Sequence, residues 1–260
     1  MILKGQSAIV TGAAGGIGRA IALDLAREGA SVLAADIKQD DLNNTAKLAG
    51  AEGLRVENLV VNLSDPKQIS AMVQKGVELF GKLDIMVNAA GIVNATHLVD
   101  LSDEDWDHVM AVNLRAVFIA SKLAAREMIK QKSGRIISIS STAGKLGAPG
   151  QGAYCASKAG VIALTQVLAI ELGRYGITAN AICPGNTETD MMKGVLTFRA
   201  KSRGMTYEEL TKGILEKTPL GRFGQPEDIA HTVTFLASPG AAYISGQAIN
   251  VCGARSVGMY

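Results

Sequence analysis

Short apolar runs alternate with longer amphipathic segments along most of the chain. The runs predicted as strands cover residues 7–11, 31–36, 55–61, 83–87, 135–139, 177–183 and 248–251. Between them, apolar residues recur at helical spacing, as at 16–27 and from about 103 to 130. Continuous apolar runs are typical of strands that are buried on both faces. The pattern therefore predicts an α/β fold whose parallel, seven-stranded sheet is covered by helices on both sides.

The alternation breaks once, between Pro184 and Pro226. Residues 190–218 have the pattern of one or two helices of mixed polarity, placed after the carboxyl end of the sixth strand. Ligands bind at that edge of an open α/β sheet. We therefore predict a single catalytic domain over 1–260, with a helical lid over about 187–218 that covers a substrate.

Four basic residues of this insertion admit two interpretations. They would attract an anionic group of a substrate, or they would form an ordinary solvated helix face. Glu208, Glu209 and Glu216 lie close by in the sequence and favour the solvated face. The four basic residues are Lys193, Arg199, Lys201 and Arg203.

Composition argues against several classes of partner. The 260 residues include 26 Lys plus Arg and 24 Asp plus Glu, which gives no reason to expect nucleic acid or a membrane surface. No uninterrupted run approaches the roughly 18 apolar residues of a membrane span, and strand and glycine turn begin too early for a signal peptide. Cys155, Cys183 and Cys252 have no histidine at ligand spacing, so neither a disulfide framework nor a metal site is expected. We expect a cytoplasmic protein.

A glycine-rich turn, TGAAGGIG from Thr11 to Gly18, joins the first strand to the first helix. Glycines let the backbone turn tightly and approach a pyrophosphate, whose charge is favoured at a helix N-terminus. Asp36 ends the second strand, where its carboxylate accepts from both hydroxyls of an adenosine ribose and repels a 2′-phosphate. Although Lys38 is near, the pattern predicts a Rossmann-type, doubly wound dinucleotide site for NAD rather than NADP.

A second candidate site follows the fifth strand. Tyr154 and Lys158 are four residues apart in a segment of helical character, so they project from one helix face. We expect the ammonium to lower the pKa of Tyr154 from about 10 toward working pH, because a nearby positive charge favours phenolate. Such a phenol transfers protons during a reaction. In isolation, the same pair is typical of an ordinary helix surface.

Six motifs in this order resemble the short-chain dehydrogenase/reductase family over essentially the whole chain. They are TGxxxGxG at Thr11–Gly18, an NNAG-like turn at Asn88–Gly91, Asn113, Ser141 thirteen residues before Tyr154, YxxxK at Tyr154–Lys158, and Pro184–Gly185. The resemblance implies a single Rossmann-type domain and an oxidoreductase that moves hydride between a substrate carbon and a nicotinamide.

The resemblance also implies a role for each catalytic residue, with no metal. Tyr154 is the expected acid/base, and Lys158 is expected to lower its pKa and hold the nicotinamide ribose. Ser141 is expected to donate a hydrogen bond to the substrate oxygen. Asn113 is expected to bend its helix and hold a water that links Lys158 to solvent, and Asn88 to support the sheet and Asn113.

A set of cofactor contacts follows from the same resemblance. They are Gly12, Gly15, Gly16, Ile17, Gly18, Asp36, Ile37, Asn62, Leu63, Asn88, Ala89, Ala90, Gly91, Tyr154, Lys158, Pro184, Gly185, Thr187 and Thr189. Thr189 is the expected side-chain donor to the nicotinamide carboxamide. Asn62 stands where the family usually has Asp beside the adenine, and its amide oxygen is expected to accept instead.

The substrate wall is expected to consist mostly of small or flexible apolar groups. Its predicted residues are Ser141, Ala143, Asn186, Met191 and Met192, flanked by Val195, Val93, Asn94 and the 147–150 loop. The lid is similar to that of polyol and acetoin-type NAD-dependent family members, which implies a small secondary alcohol or ketone: a polyol, a vicinal diol or a cyclic alcohol. Two alternatives stay open. One is a 3-oxoacyl thioester reductase, which in this family usually takes NADPH and carries a basic selector; the other is a non-catalytic dinucleotide-sensing protein.

Family members are commonly homotetramers in which two long helices, here near 103–130 and 152–175, pack against their symmetry mates. Apolar residues of these helices fit that interface and fit burial against the sheet equally well. They are Leu123, Met128, Val161, Leu164 and Leu168.

Overall fold

A seven-stranded parallel sheet organises the computed structural model, which describes residues 1–256. The strands are β1 (Ser7–Thr11), β2 (Ser31–Asp36), β3 (Val56–Val60), β4 (Ile85–Asn88), β5 (Gly134–Ile139), β6 (Ile177–Pro184) and β7 (Ala248–Val251). Their order across the sheet is β3-β2-β1-β4-β5-β6-β7, and each neighbouring pair is parallel. The predicted doubly wound Rossmann-type fold is confirmed.

Helices connect the strands and cover both faces of the sheet, because parallel neighbours need a crossover connection. The helices are α1 (Gly16–Arg27), α2 (Gln39–Ala51), α3 (Pro66–Phe80), α4 (Asp103–Met110), α5 (Ala116–Gln131), α6 (Gly152–Leu172), α7 (Asp190–Ser202), α8 (Tyr207–Glu216) and α9 (Pro226–Ala237). Asp65 caps α3, where its carboxylate accepts from the Lys67 amide at 2.8 Å and Pro66 occupies the first turn. This is the helix start that the Asp-Pro pair predicts.

The sheet separates two apolar cores. Val10 of β1 packs with Leu25 of α1 and Val233 of α9 on one face, whereas Ile9 packs with Met128 of α5 on the other. Consecutive residues of a strand point to opposite faces, so a run that is apolar throughout serves both cores. All of these side chains are fully buried, and each such burial stabilises the fold by roughly 1.5–3 kcal/mol.

Two differences between the structure and the sequence-based prediction have identifiable reasons. The fourth strand begins at Ile85, not Leu83, because the Leu83 amide donates to the Gln131 side chain at 3.1 Å and not to a strand. The helix expected from about 103 to 130 is interrupted by a π-helical turn at Ala111–Arg115, and Asn113 lies in this turn. The helix is therefore irregular at Asn113, where the family resemblance implies a bend.

Two helical segments of the described chain, Asp103–Gln131 and Gly152–Tyr175, are apolar and long enough to cross a membrane by length and composition. Both pack against the sheet instead. Met128 is fully buried in the core on one face of the sheet, and Leu123 and Leu168 pack against that core. Val161 is also fully buried, whereas Leu164 is half-buried. Packing against the sheet core therefore accounts for Leu123, Met128 and Leu168, and the interface role of the two helices stays a prediction.

The insertion after β6 forms two helices, as the pattern predicts. The Thr189 hydroxyl caps α7 by accepting from the Met192 amide at 3.2 Å, and Thr206 with Glu209 forms a capping box on α8. A small apolar cluster then joins the two helices. Its buried members are Leu196, Ala200, Leu210 and Ile214.

Candidate active site

The carboxyl ends of the central strands open into one cavity of about 720 Å³. The glycine turn after β1, Asp36 at the end of β2, and the Ala89–Gly91 turn after β4 line one part of it. Ser141, Tyr154, Lys158 and the lid line the rest. The fold therefore brings the two candidate sites of the sequence together, although they are more than a hundred residues apart in the chain.

Close backbone contacts explain two of the glycines in the turn. A Cβ at Gly18 would lie 2.1 Å from the Gly12 carbonyl oxygen, and a Cβ at Gly12 would lie 2.7 Å from Ala90 Cα. Gly12 also has a φ of +73°, which favours glycine. By contrast, a Cβ at Gly15 meets nothing within 4 Å, and no side chain caps the start of α1 there. Open space and unoccupied amides at a helix N-terminus fit a dinucleotide pyrophosphate.

Asp36 is held at the rim of this cradle by backbone amides. Its carboxylate accepts from the amides of Ala14 at 3.2 Å, Ile37 at 2.7 Å and Lys38 at 3.2 Å. The Lys38 ammonium points toward Asp41, 3.9 Å from its carboxylate, in an exposed pair. A fixed carboxylate in this position fits the ribose hydroxyls of a dinucleotide and disfavours an added phosphate.

Two asparagines support the site from behind its walls and do not line the cavity. Asn88 is buried and donates to the hydroxyls of Ser121 and Ser138 at 3.0 and 3.3 Å, so it holds α5 to the sheet. This agrees with the expected support of the sheet, although among the described residues Asn88 has no hydrogen bond to Asn113 and its side chain does not line the cavity. Asn113 instead clamps the loop after β4, exchanging two 2.8 Å hydrogen bonds with the backbone of Ile92.

Ser141, Tyr154 and Lys158 occupy one wall of the cavity. The ammonium of Lys158 donates to the Ile139 carbonyl at 2.8 Å and lies 5.6 Å from the centre of the Tyr154 ring. Ser140 does not face the reacting groups, because its hydroxyl donates to the Lys158 carbonyl at 2.8 Å. This agrees with the assignment of Ser141 rather than Ser140 as the site hydroxyl.

The pKa of the Tyr154 phenol is raised in the structure, whereas the sequence predicts that Lys158 lowers it. Burial raises the pKa of Tyr154 because it penalises the phenolate, and only the hydrogen bond from Ser141 opposes this rise. Burial also lowers the pKa of Lys158 to about 8. The ammonium donates to the Ile139 carbonyl and still lies 5.6 Å from the centre of the Tyr154 ring, so its charge remains close to the phenol.

Two predicted cofactor contacts have side chains that already have partners within the protein. The Asn62 amide oxygen accepts from the Ser64 amide at 2.9 Å. The Thr189 hydroxyl caps α7 and lies 3.4 Å from the Thr187 carbonyl. Both residues still line the cavity, as do all the other predicted cofactor residues except Asn88.

The predicted substrate residues, with Val195 and Gly147, line the lid side of the cavity, but Val93 and Asn94 do not. Asn94 instead accepts from the Thr96 hydroxyl at 2.7 Å. Several lining residues were not predicted for the substrate wall: Ile92, His108, Leu146, Gln151 and Arg255. Gln151 alone had a sequence signal, since it stands three residues before Tyr154.

Comparison with known proteins identifies the family. A family model described as enoyl-(acyl carrier protein) reductase matches residues 12–254. The chain belongs to the short-chain dehydrogenase/reductase family. It is 42% identical over 255 residues to the 3-oxoacyl-[acyl-carrier-protein] reductase FabG of Thermotoga maritima, covering 97% of this chain and 98% of that protein. The FabG of Escherichia coli is 40% identical over 260 residues, covering 100% and 99% of the two chains.

Other relatives of this short-chain dehydrogenase/reductase have different substrates in their names. The (2S)-[(R)-hydroxy(phenyl)methyl]succinyl-CoA dehydrogenase subunit BbsD of Thauera aromatica is 37% identical over 257 residues, covering 99% of each chain. Among solved structures, levodione reductase superposes with a TM-score of 0.93 at 31% identity, covering 98% of this chain and 99% of that one.

Family membership confirms an oxidoreductase that takes a nicotinamide dinucleotide and a small-molecule substrate. It does not confirm the polyol and acetoin-type prediction. The curated relatives named above are thioester enzymes, which favours the alternative of a thioester reductase.

Proposed function

We propose that the protein is an NAD(H)-dependent oxidoreductase that interconverts 3-hydroxyacyl and 3-oxoacyl thioesters. The observation that carries the proposal is that Ser141, Tyr154 and Lys158 line the same cavity as the glycine turn and Asp36. The thioester names of the curated relatives support the substrate class.

The reaction is a two-electron exchange at the carbon β to the thioester. When bound, the nicotinamide supplies or accepts the hydride. In the reducing direction, the Tyr154 hydroxyl gives its proton to the oxygen of the ketone while the carbon gains hydride, so the ketone becomes an alcohol and NADH becomes NAD⁺. The Ser141 hydroxyl donates to the same oxygen and stabilises the negative charge that develops on it. Its neighbour Lys158, with a pKa of about 8, titrates near working pH and returns a proton to the phenol.

The choice of NAD over NADP rests on Asp36. This carboxylate would lie against the 2′-phosphate of NADP, and the turn from Gly12 to Gly18 contains no cation to offset the repulsion. Arg19 lines the same end of the cavity, but its guanidinium donates to Thr45 and to the Ala14 carbonyl. In this respect the chain departs from the NADPH-dependent thioester reductases that the family pattern describes.

Reduction of acetoacetyl-CoA by NADH tests the proposal, with loss of NADH absorbance as the readout. Tyr154→Phe should lower kcat by at least about a thousandfold, since general acid catalysis contributes roughly 10²–10⁴ and the substrate oxygen also loses its donor. NADH binding, followed by fluorescence, should change by less than about threefold. The matched control is Tyr243→Phe, which removes a hydroxyl from a fully exposed ring.

Full activity of Tyr154→Phe would overturn the assignment of the acid/base. NADH binding without turnover of any alcohol or ketone would instead support the non-catalytic, dinucleotide-sensing alternative.

A small secondary alcohol remains the second candidate, because the likeness to levodione reductase covers nearly the whole chain. Cyclic diketones, vicinal diols and sugar alcohols should therefore be assayed beside acetoacetyl-CoA with the same enzyme preparation. A kcat/KM at least tenfold higher for one of these compounds than for the thioester would replace the thioester proposal.

We also propose a cytoplasmic homotetramer. Two large apolar side chains lie on the outward face of α6, where Val167 is 49% and Ile170 is 83% exposed. Neighbouring exposed apolar side chains on one helix face fit an interaction surface. Ile170→Glu should lower the molar mass measured by light scattering from four chains to two or one, whereas Tyr243→Glu should leave it unchanged.

A further inference from the structure

One arginine of the lid points into the cavity and not into solvent. Arg199, on α7, lines the cavity and donates from Nη2 to the Gln151 side-chain oxygen at 3.1 Å. Gln151 is itself only 5% exposed and stands immediately before α6, three residues ahead of Tyr154. The guanidinium is therefore anchored to the start of the helix that carries the phenol, and both groups line the same cavity.

The charge of Arg199 has no carboxylate partner among residues 1–256. Burial lowers its pKa, and the positive charges of Arg203 and Arg255 lower it further. Arg255 also lines the cavity, where its guanidinium donates to the Ile214 carbonyl at 3.0 Å. Two guanidinium groups therefore face this end of the cavity.

The acidic residues that line the cavity do not offset these cations. Asp36 and Asp41 lie at the cofactor end, where Asp36 is held by the glycine turn. Asp190 has a fully exposed carboxylate, 3.5 Å from the Lys193 ammonium. The lid side of the cavity is therefore positive at Arg199. The other three basic residues of the lid, Lys193, Lys201 and Arg203, are exposed and form the solvated face that the nearby glutamates indicate from sequence.

A guanidinium held partly out of water without a counter-ion is costly, and a bound anion removes that cost. The planar fork of arginine matches a carboxylate in bidentate geometry, and Gln151 fixes the orientation of the fork. Resting on the proposed function, we propose that Arg199 binds a terminal carboxylate of the acyl chain. The substrate class is then the mono-thioesters of dicarboxylic acids.

Pairs of thioesters that differ only at the chain end test this inference. The pairs are 3-hydroxyadipyl with 3-hydroxyhexanoyl and 3-hydroxyglutaryl with 3-hydroxypentanoyl, each oxidised with NAD⁺. The wild-type enzyme should favour the carboxylate member of at least one pair by tenfold or more in kcat/KM. Arg199→Met should reduce that ratio at least tenfold, and Arg199→Lys should restore part of it.

Arg203→Met is the matched control, because Arg203 is an exposed cation four residues further along the chain, just past the end of α7. It should leave the ratio within about twofold of the wild-type value. An equal preference in the wild-type enzyme and Arg199→Met overturns the inference. So does an equal loss of the ratio in both variants, which would show a diffuse field and no defined site.

The anion must also be assigned to the acyl chain and not to phosphates of coenzyme A. Each thioester is therefore prepared both on coenzyme A and on N-acetylcysteamine, which carries no charge. An effect of Arg199→Met that persists on N-acetylcysteamine supports the carboxylate. An effect seen only on coenzyme A overturns the inference in favour of carrier phosphate.

A binding measurement separates this inference from the proposed function. Adipate and glutarate are titrated calorimetrically into the NADH-loaded enzyme, with hexanamide as the neutral control. If no thioester is turned over, the proposed function fails, yet dicarboxylate binding that is lost in Arg199→Met still supports the anion site. If neither dicarboxylate binds to the wild-type enzyme, the inference fails even where the neutral thioesters are substrates.

Discussion

Replacement of Asp36 by Asn tests how the site selects its dinucleotide. The variant keeps the shape of the side chain and an oxygen that accepts from the Ile37 and Lys38 amides, but it removes the charge. A hydrogen bond to a charged group contributes about 1.5–3 kcal/mol, and a neutral one about 0.5–1.5 kcal/mol. With two ribose hydroxyls as donors, the expected loss is about 2–3 kcal/mol of binding free energy.

That loss corresponds to a roughly 30- to 150-fold rise in the Kd of NADH, because 1.4 kcal/mol is a factor of ten. NADPH should bind more tightly to the variant than to the wild-type protein, since repulsion between Asp36 and the 2′-phosphate is removed. Fluorescence titration of both reduced dinucleotides measures the two Kd values without knowledge of the substrate. The NADH/NADPH preference should therefore shift by at least a hundredfold toward NADPH.

Asp41→Asn provides the control, because it removes a carboxylate that lines the same end of the cavity but pairs with Lys38. Its preference should stay within about threefold of the wild-type value. An unchanged preference in Asp36→Asn, or the same shift in both variants, would refute selection by a single fixed carboxylate.

Three further predictions concern stability and the glycine turn. Burial lowers the pKa of Lys158 to about 8, so the charged ammonium destabilises the fold. As the pH rises from about 7 to 10, the free energy of unfolding of the wild type should therefore increase by about 2–3 kcal/mol relative to that of Lys158→Met, measured by urea unfolding. Asp228, with a pKa lowered to about 2 by Arg222, contributes stability that is lost as pH falls from about 4 through 2. Asp228→Asn should cost about 1 kcal/mol at neutral pH and almost nothing at pH 2, since the pair is part-exposed. Gly18→Ala should lower Tm by several degrees, because the added Cβ would collide with the backbone. Gly15→Ala should leave Tm unchanged and weaken NADH binding tenfold or more, because its Cβ would enter the open space of the cradle. Equal Tm values for the two variants would contradict this account.

The sequence by itself determined the fold and most of the chemistry of this protein. Buried parallel strands produce apolar runs, and the bounds of α1 agree with the structure to the residue. The glycine turn, Asp36, Ser141, Tyr154 and Lys158 were also identifiable, because each requires a particular residue type at the carboxyl end of a strand or on one helix face. Such constraints are local, so they are visible in a linear chain.

Only the tertiary structure decided how each group is used. The position of the Lys158 ammonium depends on the Ile139 carbonyl to which it donates, and whether Arg199 faces solvent or the cavity depends on how α7 packs. Asn88 supports the sheet as the family resemblance implies, but only the structure shows that it does so through the hydroxyls of Ser121 and Ser138. Burial and hydrogen-bond partners are set by contacts between distant segments, and pKa values and exposed charges follow from them. No periodicity or spacing in the sequence carries that information.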